Sequence, residues 1–453
     1  MIPYTCLTLA EPDPRRLAAA MQRFAGETAY IEVRLDFLER PEVPAPPASE
    51  TRFLATCRPV REGGRFGGSE EERLRVLRSA AQAGYAWIDL EADVPADLSE
   101  FRPARVLRSH HDFAGVGRGL RQEWERLRST PGDGYKLAVM PGGAAEVDHL
   151  FALLRAVPAE PPRVLLGMGI AAQPTRWWGP WLGNAWTYVV AGEDAAVAPG
   201  QFTLEEARFL YAGRESPPEL YLVLGRRPSC QEGTVVRLNE ELRKRSVPGA
   251  CLWWSVSAAA GDPRSALERW GLPVRGLNCD FWGEEASAAD APPDGIAAAA
   301  TELPGVRVWE EAFLETLRRA GGPAVRAAFV LGAGRTARRA ANALSAAGCR
   351  VWLDSRLPEP AGSWRGDAGV VAGPAVLVTF AGARALGTLL RASSPEWRSA
   401  VQVWLDLSGE GAALEELRDW FPCLQGWAGA GEFRESFVRR TVAAWLGEGP
   451  RRG

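Results

Sequence analysis

A single lysine, Lys136, sits in the apolar run Gly134-Tyr-Lys-Leu-Ala-Val-Met-Pro141. Taking an ammonium out of water disfavours its charged form and frees an amine nucleophile suited to Schiff-base chemistry on a ketone. The plainer reading of the same residues is a strand-end lysine whose head stays wet. The surrounding pattern favours the chemical one. Glu32, Arg34 and Asp36 alternate along Tyr30-Ile-Glu-Val-Arg-Leu-Asp36 and would share one face of an extended chain. Arg58 closes the run Arg52-Phe-Leu-Ala-Thr-Cys-Arg58, and Glu62 follows in a Gly-rich loop. His110 and His111 follow Ala104-Arg-Val-Leu-Arg-Ser109, Arg176 follows Arg163-Val-Leu-Leu-Gly167, and Gln201 follows Trp186-Thr-Tyr-Val-Val190. An imidazole near neutral pH can both accept and donate a proton, and a guanidinium grips a carboxylate through a fork. Glu32 paired with Arg34 or Arg58 would also serve as an ion pair touching no ligand. The remaining histidine, His149, lies in a helical stretch, and three histidines without ligand spacing make no metal centre.

These residues need a scaffold that gathers them. Up to residue 212 the chain carries eight short apolar runs: the six just named together with Tyr4-Thr-Cys-Leu-Thr-Leu9 and Ala86-Trp-Ile-Asp-Leu-Glu91. Segments with apolar residues at helical spacing lie between most of them, as in 13–24, 70–83, 119–128 and 144–156. Strand-helix alternation of this size predicts a parallel (β/α)8 TIM barrel, whose chemistry belongs at the C-terminal ends of its strands. The candidate residues fall at those ends.

At 453 residues the chain is too long for one ordinary domain. Its 46% hydrophobic and 24% charged content describe a globular protein with ample core, and a formal net charge of -3 gives no basic face for nucleic acid. Seven scattered cysteines without a CxxC pair support neither disulfides nor zinc. The opening residues lack a signal-peptide pattern and no 18-residue apolar run occurs, so no membrane association and a cytoplasmic location are expected.

Residues 212–219 read as a linker, and strand character resumes at Leu220-Tyr-Leu-Val-Leu224. The Ala- and Pro-rich stretch 284–305 reads as a loop or insertion. Ala327 to Ala337 runs from strand into helix and carries Gly332, Gly334 and Ala337 in GxGxxA spacing, followed by a helix over 336–347 and a strand over 350–354. That context predicts a Rossmann-like unit, with Arg335 and Thr336 at the helix start and pyrophosphate as the natural ligand of such a turn.

The pieces of the first half together resemble type I 3-dehydroquinate dehydratase over 1–213. They are Glu-Val-Arg-Leu-Asp (32–36), Thr-Cys-Arg-Pro-Val-Arg-Glu-Gly-Gly (56–64), Ser-His-His-Asp-Phe (109–113), Tyr-Lys-Leu-Ala-Val-Met-Pro (135–141) and Ala-Pro-Gly-Gln (198–201). The resemblance implies that Lys136 forms an imine with 3-dehydroquinate, that His111 is the general acid and base, and that Glu62 orients it. It implies that Arg176 holds the substrate carboxylate, that Glu32, Arg34, Arg58 and Gln201 fix the ring and hydroxyls, that no cofactor is needed, and that the protein is a homodimer. Val197 departs from the family serine, and a neighbour such as Thr187 would have to replace that hydroxyl.

Residues 219–453 resemble shikimate dehydrogenase, with a reduced substrate-binding part over 219–283 and a Rossmann-like, doubly wound part over 306–453. Gly276-Leu-Asn-Cys-Asp-Phe-Trp-Gly283 places Asn278 and Asp280 at a substrate-binding and a catalytic position, and Ser355 and Arg356 fall where NADP is selected. The departures are extensive. Gln231 and Gly233 replace the two serines of the opening motif, the segment bearing the catalytic lysine is absent, and Leu405-Asp-Leu-Ser-Gly409 replaces Tyr-Asn-Pro. The expectation is a dehydratase fused to an inactive dehydrogenase-like domain. A bifunctional NADP enzyme and a non-catalytic binding or regulatory protein are the alternatives.

Overall fold

Each of the eight apolar runs becomes a strand in the computed structural model, which describes residues 1–39, 42–115, 119–192, 198, 200–225, 233–254, 263–281, 308–320, 327–331, 335–354, 375–380, 401–407 and 426–446. In chain order the first half forms β1 (Ile2–Leu9), α1 (Pro14–Phe24), β2 (Thr28–Arg34), β3 (Arg52–Thr56), α2 (Glu70–Gln82), β4 (Trp87–Glu91) and β5 (Arg105–Asp112). It continues through α3 (Leu120–Arg128), β6 (Gly134–Val139), α4 (Ala144–Ala156), β7 (Arg163–Gly167), α5 (Gln173–Trp178), β8 (Thr187–Val190), the two-residue β9 (Phe202–Thr203) and α6 (Leu204–Tyr211). The strand order β7-β6-β5-β4-β3-β2-β1-β8-β9 is that of a TIM barrel, and every neighbouring pair is parallel.

Local chemistry sets the helix starts. Asp13 caps α1 by accepting from the N–H groups of Arg15 and Arg16, with Pro14 at the first turn. Ser69 with Glu72, and Thr203 with Glu206, form capping boxes at α2 and α6. The buried stripes Leu17 and Met21 of α1, and Leu120, Trp124 and Leu127 of α3, face the strands. Inside the barrel, Leu54, Trp87, Leu107, Val164 and Trp186 form one core, and Trp186 packs against Tyr30 and Trp87 at ring-centroid distances of 4.5 and 5.8 Å.

No strand ladder joins β7 to β8 among the described residues. Asn184 makes the join instead. Its Oδ1 accepts from the Leu165 N–H at 3.0 Å and its Nδ2 donates to the Leu165 carbonyl at 2.8 Å. Arg163 donates to the same Oδ1 at 2.8 Å, and the Ala185 N–H donates to the Arg163 carbonyl at 2.8 Å. Asn184 is buried, so its truncation strands backbone groups where water cannot replace the lost partner. Asn184→Ala is expected to cost about 3 kcal/mol, read as a lower urea midpoint at unchanged slope, with Asn184→Asp costing less because it keeps the acceptor.

The structure corrects two expectations. β2 ends at Arg34, and Leu35–Phe37 forms a 3-10 turn, so Asp36 does not continue the strand face of Glu32 and Arg34. β5 continues to Asp112, so His110 and His111 lie within the strand, opposite Leu137 and Ala138 of β6.

The chain divides into two compact units, one of residues 1–220 and 259–274, the other of 221–258 and 275–453. A short helix of the first unit, Pro263–Arg269, is followed by Trp270, which stacks on Phe151 at 5.2 Å and donates from Nε1 to Asp148 at 2.6 Å. The described residues of the second unit form two sheets. In one, Glu219–Gly225 lies between Gly249–Trp254 and Val274–Phe281. The other has five parallel strands, with Ala327–Leu331 between Arg350–Asp354 and Ala375–Thr379, followed outward by Val401–Asp406 and Gly426–Gly429. This is the strand order of a doubly wound, Rossmann-like sheet. Trp309, Phe313, Phe433 and Phe437, from helices Val308–Arg319 and Ala430–Trp445, pack in its core. Among the described residues no helix is long and apolar enough to cross a membrane.

Candidate active site

The eight side chains to which the resemblance gives a role line one cavity of about 170 Å³: Glu32, Arg34, Arg58, Glu62, His111, Lys136, Arg176 and Gln201; Asp36 and His110 do not. Strand alternation explains the convergence. Ser109 and Lys136 are cross-strand partners on β5 and β6, Glu91 of β4 is opposite Ser109, and His111 follows Ser109 on the same face.

Lys136 is buried. Its Nζ lies 3.2 Å from Oδ2 of Asp89, 3.8 Å from Oε1 of Glu32 and 4.4 Å from the centre of the Tyr188 ring. Glu32 also accepts from the Thr8 and Thr56 hydroxyls, each at 3.0 Å. Asp89 is fully buried. Burial opposes its ionisation, yet the charges of Arg58 and Lys136 hold its carboxyl well below the usual carboxylate range.

His111 donates from Nδ1 to Oε2 of Glu62 at 2.9 Å, and its backbone N–H reaches the same oxygen at 2.8 Å. A carboxylate only accepts, so Nδ1 carries the proton and Nε2 keeps a lone pair. Burial first, then the nearby charges of Arg58 and Lys136, push the His111 pKa down to about 3. Near neutral pH this imidazole is therefore a free base. Burial would raise the Glu62 carboxyl, but hydrogen bonds from His110 and His111 bring it down to about 2.

The loop that aims Glu62 depends on two glycines. Val60–Glu62 makes a 3-10 turn ended by Gly63 at φ 76°, a left-handed conformation that disfavours side chains. At Gly64 a Cβ would come within 2.0 Å of the Arg58 carbonyl oxygen, so no side chain fits there.

Arg58 spends its guanidinium on protein groups. It donates to Asp89 at 2.6 Å, Glu91 at 2.7 Å and Ser109 at 2.8 Å, and so forms a charged floor below the cavity. Arg34 forks Asp36 at 2.9 and 2.8 Å. The ion pairs weighed from the sequence, Glu32 with Arg34 or with Arg58, are replaced by Glu32 with Lys136 and Arg34 with Asp36. Arg176 is buried on α5 and donates from Nε to the Gly167 carbonyl at 3.1 Å. Among the described residues no carboxylate ion-pairs with it, and burial lowers its pKa to about 10. Gln201 accepts from the Ala198 N–H at 3.0 Å. Thr187 does not line the cavity, whereas Tyr188, the next residue on β8 and hence on its opposite face, does. Val197 lies outside the described residues.

The sequence did not single out Asp89, Glu91, Arg73 or Ser109. Glu91 lies 2.7 Å from both Arg58 and Arg73, and the Ser109 hydroxyl donates to Asp89 at 2.5 Å. The available signal was two carboxylates two residues apart inside an otherwise apolar strand, Trp87-Ile-Asp-Leu-Glu91. Among the described residues no group of side chains could hold a metal ion.

In the second unit, Asn278 and Asp280 fall on the strand Val274–Phe281. Arg335, Thr336 and Ala337 open the helix Arg335–Ala346, with Ala337 buried. Gln231, Gly332, Gly334, Ser355, Arg356 and the stretch 284–305 lie outside the described residues.

Comparison with known proteins finds sequence relatives for the first half of the chain. The family model for type I 3-dehydroquinase matches residues 5–216. A protein of Desulfotalea psychrophila named 3-dehydroquinate dehydratase is 33% identical over 219 residues, covering 46% of this chain and 96% of that protein. One of the same name from Syntrophobacter fumaroxidans is 37% identical over 167 residues, covering 35% and 70%. A solved structure described as dehydroquinate dehydratase and shikimate dehydrogenase from S. pombe aligns with 99% of this chain and 96% of its own at 19% identity and a TM-score of 0.39.

Proposed function

Because the chain belongs to the type I 3-dehydroquinase family, we propose that its N-terminal barrel converts 3-dehydroquinate to 3-dehydroshikimate and water through a lysine imine. One observation carries this reading: an amine, a carboxylate-oriented free-base imidazole and a buried guanidinium that ion-pairs with no carboxylate among the described residues line one small cavity.

In this reading Arg176 binds the substrate carboxylate and Lys136 attacks the C3 ketone. Loss of water from the adduct gives a protonated imine. Its positive charge forms beside Asp89 and Glu32, which already face the amine, so it needs little rearrangement of its surroundings. The iminium withdraws electrons from C2 and makes its proton acidic. Nε2 of His111 takes that proton. Glu62 steadies the imidazolium so formed, which then passes the proton to the departing C1 hydroxyl. Water hydrolyses the product imine and frees Lys136. Glu32, Arg34 and Gln201 position the ring and hydroxyls, while Arg58 acts from below by holding Asp89.

The second unit enters as a shikimate dehydrogenase-like domain without dehydrogenase activity. The sequence supports this: Asp280 has no lysine partner in the expected segment. The NADP contacts implied by the resemblance fall mostly outside the described residues, and no step is routed through them.

The test is incubation with 3-dehydroquinate and borohydride, followed by peptide mass mapping. The expected result is one reduced adduct on Lys136, with dehydroshikimate absorbance developing when borohydride is omitted. Folded protein that gives neither result overturns the dehydratase reading. NADPH consumption with 3-dehydroshikimate would overturn the inactivity of the second unit alone.

A further inference from the structure

Glu62 straddles the end of β5. One carboxylate oxygen serves His111, which faces the cavity, and the other faces His110, on the opposite side of the strand. His110 places Nδ1 3.2 Å from Oε1 of Glu62 and Nε2 3.0 Å from Oε1 of Glu123 on α3. Nδ1 hydrogen-bonds Glu62, and the Glu123 carboxylate beside Nε2 adds its charge without a hydrogen bond, so both carboxylates favour the protonated ring. The result is a line of groups running inward, Glu123, His110 and Glu62, that ends on the neutral imidazole of His111.

We propose that His110 is a positioning residue of the dehydration site, which pins Glu62 and, by sharing its charge, keeps His111 a stronger acid than a simple Glu–His pair would. The inference rests on the dehydratase reading above. Its physics is local. A cation beside Glu62 takes up part of the field that would otherwise stabilise the imidazolium of His111. His111 then gives up its proton readily at the step where the hydroxyl must leave.

The surrounding charges agree. His110 faces Glu62, Glu123 and Asp112, and the hydrogen bond to Glu62 is the main cause holding its pKa above the ordinary histidine value. Arg126 approaches Glu123 at 3.4 Å and offsets part of that carboxylate's pull. His111 faces Glu62, Arg58, Lys136 and Asp89. His110 is partly exposed and His111 nearly buried, so the line also leads from solvent towards the cavity.

Three variants separate charge from shape. His110→Phe removes both donor and cation, His110→Gln supplies a neutral donor, and Glu123→Gln removes the outer carboxylate. For His110→Phe the acid limb of the kcat/KM profile is expected to move up by about one pH unit, and kcat to fall about 10-fold at little change in KM. His110→Gln should recover most of kcat but keep the displaced limb. Glu123→Gln should lower the titration midpoint of His110. An acid limb unmoved in both His110 variants overturns the proposal, whatever happens to kcat.

A second readout does not depend on turnover. The chain has three histidines, so their ring protons can be assigned by NMR with the aid of His149→Gln. His110 should titrate above the ordinary range and His111 below it, and Glu123→Gln should shift the first downward. Failure of that pattern overturns the proposal even in an active enzyme. The pattern without any dehydroquinate turnover would support this line of groups and reject the dehydratase reading.

Discussion

Lys136→Met is expected to abolish dehydration, with kcat lower by about four orders of magnitude or more, because no other group can form the imine. The protein should remain folded. Without the ammonium, Asp89 still has Arg58 and Ser109, and Glu32 still has Thr8 and Thr56, so neither carboxylate is left without a partner. A melting temperature within a few degrees of the parent is the matching expectation, as for a loss of about 1 kcal/mol. Lys136→Arg separates charge from nucleophilicity. It keeps a cation between the two carboxylates, and it should be as inactive as the methionine variant. Turnover of either variant within 10-fold of the parent would remove the imine from the mechanism.

Arg58→Met should do most of its damage to stability. The guanidinium is buried and joins Asp89, Glu91 and Ser109 at 2.6, 2.7 and 2.8 Å. Removing one member of such a cluster commonly costs about 3–5 kcal/mol, because buried charge is left undercompensated. For a unit of this size that is roughly a 10 °C fall in melting temperature. The pH dependence gives the cause. Arg58 holds the folded Asp89 pKa below its unfolded value, so its contribution is fully present above the unfolded pKa and is lost as pH falls through the folded one. In the variant the folded pKa rises and that loss begins at higher pH. The gap between the two proteins should be widest near pH 7 and close only in strong acid, where Asp89 is protonated in both. Arg58→Lys should recover part of the loss, since an ammonium restores the charge without the fork. A melting temperature for Arg58→Met within 2 °C of the parent would show that the floor does not hold the barrel.

The strands were legible because a buried parallel strand needs an unbroken apolar run, and eight such runs stand between helical stretches. The rim residues were legible for a related reason: a charge at the end of an apolar run must have a use or reach solvent. What was hidden depends on register. Asp89 and Lys136 lie 47 residues apart in sequence, and they meet only because β5 sits between β4 and β6 in the barrel. A sequence shows that Trp87-Ile-Asp-Leu-Glu91 carries two carboxylates but not which cations face them. Asp36 was misplaced because alternation continues on paper where the backbone turns into a 3-10 segment. His110 was set aside because the motif register needs one histidine, although the strand brings its neighbour against the same carboxylate from the other side.

The joint at Asn184 has a consequence for how this barrel breathes. Seven of its eight seams are ladders that open only when several hydrogen bonds break together. Among the described residues the eighth hangs on one carboxamide, the Arg163 guanidinium that grips it and a neighbouring peptide N–H. Thermal excursions should therefore begin there, with β8 peeling from β7 while the other seams hold. Tyr188 rides on β8 with its ring against the Lys136 ammonium. A side chain that does nothing more than tie two strands together thus also governs how long the reacting amine keeps its aromatic wall.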